Sequence, residues 1–297
     1  MKKKAHVIKL LVLLTPKPWR AILEPKIQAA YPSLKLVWVE SLQELQEILP
    51  TKSPSAKKGD DLNINPLHTL VEGDFKSARL LSILNEWIVP KSLFEQFGLG
   101  FYNIHPGPPE RPGWAPLNFA LYDDDKEFGA TLHEALEDAD TGRIWAVDLF
   151  TIPQDCNYYQ LATLTMDSVL RVFDQNLANL ISELNPQFTP MTWGAKRQTK
   201  QDLLKESLIS PSISRVELDL KIKAFGMCTD VCQLRTVQSG KTFVFDPLRQ
   251  TARSLDNESV NKSERTESID QGVENNQPHL FIQNICLYLQ KDKCSSI

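Results

Sequence analysis

Two hydrophobic periods alternate over the first fifty residues, and that alternation constrains the fold more than anything else in the chain. Residues 6–14 form an apolar run broken only by Lys9, the pattern of a strand buried on both faces. From Trp19 to Ala30 the apolar positions Trp19, Ile22, Leu23, Ile27 and Ala30 recur at helical spacing, and Tyr31-Pro32 stops them. Residues 34–39 return to a strand, and Ser41 with Glu44 three residues on is a capping-box signature for a second helix. Successive strands separated by helices run parallel, and the helices cover both faces of their sheet. The expected class is α/β, a Rossmann-like, mostly parallel sheet with helices on both faces.

The rest of the chain extends this pattern. Residues 50–74 dissolve into Lys, Ser, Pro, Asp and Asn and predict an exposed loop. Strands are expected at 78–84, 101–104, 130–134 and 144–152, with helices up to Phe97, over 116–122, and over a long apolar stripe from Tyr158 to Leu184. A first domain is therefore expected over 1–189, with a polar linker over 190–210. A small β-rich subdomain follows at 211–248, where a helix over 216–225 precedes two strands flanking Ser239-Gly240 like a hairpin. Residues 249–279 are polar and nearly free of aromatics, which predicts disorder. The segment 280–297 carries a last apolar run that can dock as a helix or an edge strand.

With 42% hydrophobic and 24% charged residues the chain has the composition of a soluble globular protein. Its net charge of −4 provides no basic field for phosphate-rich partners. Nothing reaches the apolar length of a membrane span. Lys9 and the Pro16-Lys17-Pro18-Trp19-Arg20 sequence argue for a first strand over a secretory signal. The five cysteines, Cys156, Cys228, Cys232, Cys286 and Cys294, are scattered and odd in number, which fits a reducing cytoplasm. Cys228 and Cys232 lack a second ligand pair for zinc, so no metal is expected.

The chemistry concentrates in Asn103-Ile104-His105-Pro106-Gly107-Pro108-Pro109, followed 35 residues after His105 by Asp140-Thr141-Gly142. A carboxamide can hold an oxyanion, an imidazole can move a proton, and a carboxylate can fix and charge-balance the imidazole. His105 falls at the carboxyl end of a strand, where ligands collect in open α/β sheets. Each residue alone is more often a cap, a surface histidine or a turn.

The string Phe101 to Pro106, then Gly113-Trp-Ala-Pro116, Gly129-Ala-Thr-Leu-His133 and Asp140-Thr-Gly142, resembles the 10-formyltetrahydrofolate-dependent formyltransferases. The family includes methionyl-tRNA formyltransferases and amino-sugar N-formyltransferases. The resemblance is dense over 78–150 and faint at 215–246. It implies the formyltransferase fold and 10-formyltetrahydrofolate as co-substrate, with Asn103, His105 and Asp140 as catalytic residues. It also implies a cofactor pocket at Trp87, Ile88 and Val89 and at Glu137, Asp138 and Ala139, where apolar walls and backbone groups would enclose the pterin. Trp87 stands where relatives often carry a basic residue.

The turn after His105 departs from the family pattern. Pro106, Pro108, Pro109 and Pro112 make a stiff loop with few N–H donors. Glu110, Arg111 and His133 are candidates for contacting the acceptor, against bland roles as solvated loop charges and, for His133, as a structural residue. The resemblance favours a small-molecule amine, such as an amino-sugar nucleotide. A tRNA-borne amine, a hydrolase releasing formate, and a relative that kept the fold without folate binding are the alternatives.

Overall fold

Leu10–Leu14 forms β1 in the computed structural model, which describes residues 7–49, 74–227, 233–246, 271–274, 277–282 and 285–289. The predicted 50–74 loop, apart from Asp74, and the Cys228/Cys232 pair lie outside the described residues. Contacts divide the chain into two units. One spans 1–113, 127–151 and 164–196, the other 114–126, 152–163 and 197–297.

The first unit is built on six strands. β1 is followed by β2 (Lys35–Val39), β3 (Ala78–Ile83), β4 (Phe101–His105), β5 (Glu127–Glu134) and β6 (Ile144–Thr151). Their order in the sheet is β2-β1-β3-β4-β5-β6. The first four run parallel, while β5 is antiparallel to both β4 and β6, so the mostly parallel expectation holds. Alternate residues of β1 explain why helices are needed on both faces. Leu11 and Leu13 join Leu23 and Ile27 of helix α1 (Lys17–Ala30) in one core. Leu10, Val12 and Leu14 join Leu45 and Ile48 of α2 (Leu42–Ile48) in another. Ser41 caps α2 by accepting from the Glu44 N–H at 3.1 Å, and Glu44 reaches back to the N–H of Glu40 at 2.8 Å. The helix expected before Phe97 is only the single turn α3 (Lys91–Phe94).

Arg79 on β3 is buried and holds a distant element in place. Its guanidinium donates to the carbonyls of Leu99, Asn179 and Leu180, the last two at the end of the long helix α5 (Tyr158–Leu180). The orphan carbonyls of a helix end thereby find donors without water.

The second unit contains α4 (Pro116–Tyr122), α6 (Lys200–Glu206), α7 (Arg215–Phe225) and five antiparallel strands. These are β7 (Arg235–Gln238), β8 (Lys241–Phe245), β9 (Gln271–Glu274), β10 (Gln277–Ile282) and β11 (Ile285–Leu289), ordered β7-β8-β11-β10-β9. Ser239 and Gly240, with φ of 51° and 74°, turn the β7–β8 hairpin as expected from their types. α4 and α7 are joined by Phe119 against Phe225 and by Asn118 donating to the Ala224 carbonyl at 2.7 Å.

Three sequence expectations differ from the structure. α6 lies inside the expected linker, nucleated by a reciprocal Thr199–Asp202 capping box. Strand β9 at 271–274 and the start of β10, up to His279, occupy part of the stretch where polar composition predicts disorder, because β pairing needs backbone partners more than apolar side chains. The remainder of that stretch, 249–270, is outside the described residues. The final apolar run is neither a helix nor an edge: β11 is enclosed between β8 and β10. No described helix is long and apolar enough to cross a membrane.

Candidate active site

β4 delivers Asn103 and His105 to the same side of the sheet, two residues apart, while Tyr102 and Ile104 enter the core on the other side. Antiparallel pairing with β5 then sets His133 opposite Asn103 and Thr131 opposite His105. Between Leu132 and His133 the register against β6 shifts, an irregularity of the kind that re-aims side chains beside active sites. Asp140 enters from the loop between β5 and β6. Its φ of 51° is left-handed, a conformation that aspartate tolerates better than most residues.

These side chains meet. His105 Nδ1 lies 3.4 Å from Asp140 Oδ2, and His133 Nε2 lies 3.4 Å from Asp140 Oδ1. Asn103 Nδ2 stands 3.1 Å from His133 Nε2, and the Gly113 N–H donates to Asp140 Oδ2 at 2.8 Å. His133 Nδ1 donates to the Glu134 carbonyl at 2.8 Å, which leaves Nε2 facing both Asn103 and Asp140. His105 Nε2 donates to the Arg111 carbonyl at 2.9 Å. That bond folds the proline-rich turn over the imidazole, and Thr131 anchors the same turn through the Gly107 carbonyl at 2.8 Å.

The three ionisable side chains are only 2–7% exposed, so their charges depend on one another. Burial by itself would raise the Asp140 carboxyl. The His105 ring, a hydrogen bond and charge from His133 and the Gly113 N–H outweigh it and hold Asp140 well below the usual carboxylate range. Burial pushes the His105 imidazole below its ordinary value, against the upward pull of Asp140 and the Arg111 carbonyl. A proton gained at Nδ1 would complete a bond to Asp140. Burial prevails at His105, so the neutral imidazole is favoured beside a charged Asp140.

The expected cofactor residues divide. Trp87 and Ile88 are 44% and 55% exposed on the loop after β3, available to a flat ligand. Val89 is 2% exposed and packs into the core beneath that loop, so its side chain has no face to offer. Glu137 and Asp138 are exposed, Ala139 is half-buried, and Thr141 closes their loop through its hydroxyl on the Asp138 carbonyl. Glu110 is exposed and Arg111 half-buried. His133, 2% exposed, lies between Asn103 and Asp140.

Sequence reasoning overlooked Trp193 and the bond from the Gly113 N–H to Asp140. Trp193 lies within the expected linker, yet its ring stands nearly perpendicular to both imidazoles, 4.9 Å from His133 and 5.8 Å from His105. A lone Trp-Gly pair in a polar stretch was the only signal for it. Nothing in the sequence marked the Gly113 N–H as a ligand of Asp140.

The formyl transferase family model matches residues 83–168, which hold Asn103, His105, His133 and Asp140. The fold is that of the formyltransferases. A sugar N-formyltransferase from a Shewanella species superimposes with a TM-score of 0.59 at 16% identity, covering 78% of this chain and 94% of that one. An N-formyltransferase from Helicobacter canadensis, solved with folinic acid and dTDP-3-aminofucose, gives 0.52 at 16% identity, covering 96% and 99%. The methionyl-tRNA formyltransferase of Clostridium thermocellum gives 0.53 at 14% identity, covering 80% and 91%.

Proposed function

We propose that this chain, with its formyltransferase fold, transfers a formyl group from 10-formyltetrahydrofolate to a primary amine on a small molecule. The convergence of Asn103, His105 and Asp140 around one point at the carboxyl edge of the sheet carries the reading. The amine nitrogen attacks the formyl carbon, and the carbonyl oxygen takes up negative charge. The Asn103 carboxamide, held beside His133 at 3.1 Å, supplies an amide hydrogen for that oxygen. His105 in its protonated form supplies a second donor once its bond to the Arg111 carbonyl is released by the entering substrate. Asp140, through His105 or a water, takes the amine proton. The carbon–N10 bond then breaks and N10 takes a proton, giving a formamide and tetrahydrofolate. Exposed Trp87 and Ile88, with the 137–139 loop, are the surfaces that would hold the folate.

An amino-sugar nucleotide is the leading acceptor. The Helicobacter canadensis protein was solved with such a compound, and the net charge of −4 provides no general attraction for tRNA. One observation favours a second reading, a relative that retains the fold without transferring. Both ring nitrogens of His105 already face acceptors within the protein. Mass spectrometry of amino-sugar nucleotides incubated with the protein and 10-formyltetrahydrofolate separates the two. Transfer predicts the gain of one formyl group, lost in Asn103→Ala. No gain on any amine, together with unchanged tryptophan fluorescence on adding tetrahydrofolate, supports the second reading.

A further inference from the structure

The segment after α5 is tied to three separate parts of the first unit within six residues. The Thr189 N–H and hydroxyl both donate to the Ile144 carbonyl at the start of β6, at 2.8 and 3.1 Å. The Trp193 indole N–H donates to the Gly142 carbonyl at 2.8 Å, in the loop that carries Asp140. The Gly194 N–H donates to the Pro109 carbonyl at 2.8 Å, in the turn that follows His105. A side chain at Gly194 would place its Cβ 2.6 Å from the Glu110 carbonyl oxygen, so the close approach requires glycine. Between these ties the indole ring stands against His133 and His105 at interplanar angles of 87° and 81°.

We infer that Trp193 is a positioning residue. It holds the Asp140 loop through its N–H and walls both imidazoles with its ring, while Gly194 holds the turn after His105. Asp140 and the two imidazoles come from three places in the sequence, and their 3.4 Å separations survive only if the loops between them cannot drift. Pro109 cannot donate a backbone hydrogen bond, so its turn depends on acceptor bonds such as the one from Gly194. The indole covers two rings that are 4% and 2% exposed, and burial is what pushes the His105 imidazole down, against the upward pull of Asp140 and the Arg111 carbonyl. The role of this geometry in turnover rests on the proposed formyl transfer; the geometry itself does not.

Two variants of the full chain, Trp193→Phe and Trp193→Ala, separate wall from tie. Histidine-labelled protein gives the imidazole titrations by NMR, a carbonyl label at Gly142 reports its hydrogen bond, and steady-state assays give kcat and KM. Trp193→Phe is expected to keep both titrations near wild type, to shift the Gly142 carbonyl signal, and to lower kcat about tenfold with KM little changed. Trp193→Ala should move the His105 titration upward toward its ordinary value and lower kcat about a hundredfold, the loss typical of a misplacement near 1 Å. An unmoved Gly142 signal in Trp193→Phe overturns the inference, and so does an unmoved His105 titration in a folded Trp193→Ala. If Trp193→Ala does not fold, the Phe variant decides alone. If the NMR signals move as described while wild type formylates no amine, the positioning role stands and the transfer reading falls.

Discussion

Replacing Gly142 with alanine tests whether the Asp140 loop is held where the chemistry needs it. A Cβ at this position would lie 1.8 Å from the Glu134 carbonyl oxygen, whereas real Cβ contacts essentially never fall under 3.0 Å. Relieving the overlap requires a movement of about 1.2 Å, the difference between those two distances. Glu134 ends β5 and is paired with Tyr102, so the loop is the side that gives way. Moved directly away, Asp140 would stand about 4.6 Å from His105 in place of 3.4 Å. When His105 carries a proton during the reaction, its attraction to Asp140 at an effective dielectric near 20 falls from about 4.9 to about 3.6 kcal/mol, a loss of about 1.3 kcal/mol or roughly tenfold in rate. Misalignment of the reacting groups raises the expected loss in kcat to between about tenfold and a hundredfold. The assay is formyl transfer under single-turnover conditions, with urea unfolding run in parallel. Overpacking strain of about 1–3 kcal/mol should lower the unfolding midpoint. Turnover within twofold of wild type, together with an unchanged midpoint, would refute the argument that this loop has no room to move.

Three further outcomes follow from the same geometry. Asn103→Ala removes the oxyanion donor and should lower kcat by about 10²–10³ with folate binding retained, measured by steady-state kinetics and fluorescence titration. Arg79→Met keeps the side-chain volume but leaves three backbone carbonyls without their donor, so unfolding free energy should fall by about 3 kcal/mol in urea melts while the site geometry persists. The pH dependence has a definite sign. The His105 imidazole is held below its ordinary 6.5, so the unfolded chain binds a proton that the folded chain refuses. The contribution is therefore fully present above pH 6.5 and declines as pH falls toward the folded value. Asp140, also held low, adds a second loss at more acid pH, below its ordinary 3.8. Wild type should lose stability from pH 7 to 5 more steeply than His105→Asn, and parallel profiles would refute the burial argument.

The amino-acid sequence by itself determined what depends on near neighbours. Apolar period fixes whether a segment is a helix or a strand, so β1, α1, β2, α2 and the β7–β8 hairpin could be read from residue types. The spacing of Asn103, His105 and Asp140, with strands before each loop, identified the three polar groups before any coordinates were considered. Tertiary structure decided what depends on pairing between distant segments. His133 bonds to Asn103 because β5 runs antiparallel to β4, and a sequence written for one strand carries no record of its partner's direction. Trp193 reaches both imidazoles through a bond to a carbonyl 51 residues away, and backbone carbonyls leave no trace in side-chain type. The strand at 271–274 pairs despite its largely polar composition, because a ladder is made of amide groups that every residue but proline provides. Local chemistry chose the elements and marked the candidate polar groups, and long-range backbone geometry decided what holds those groups together.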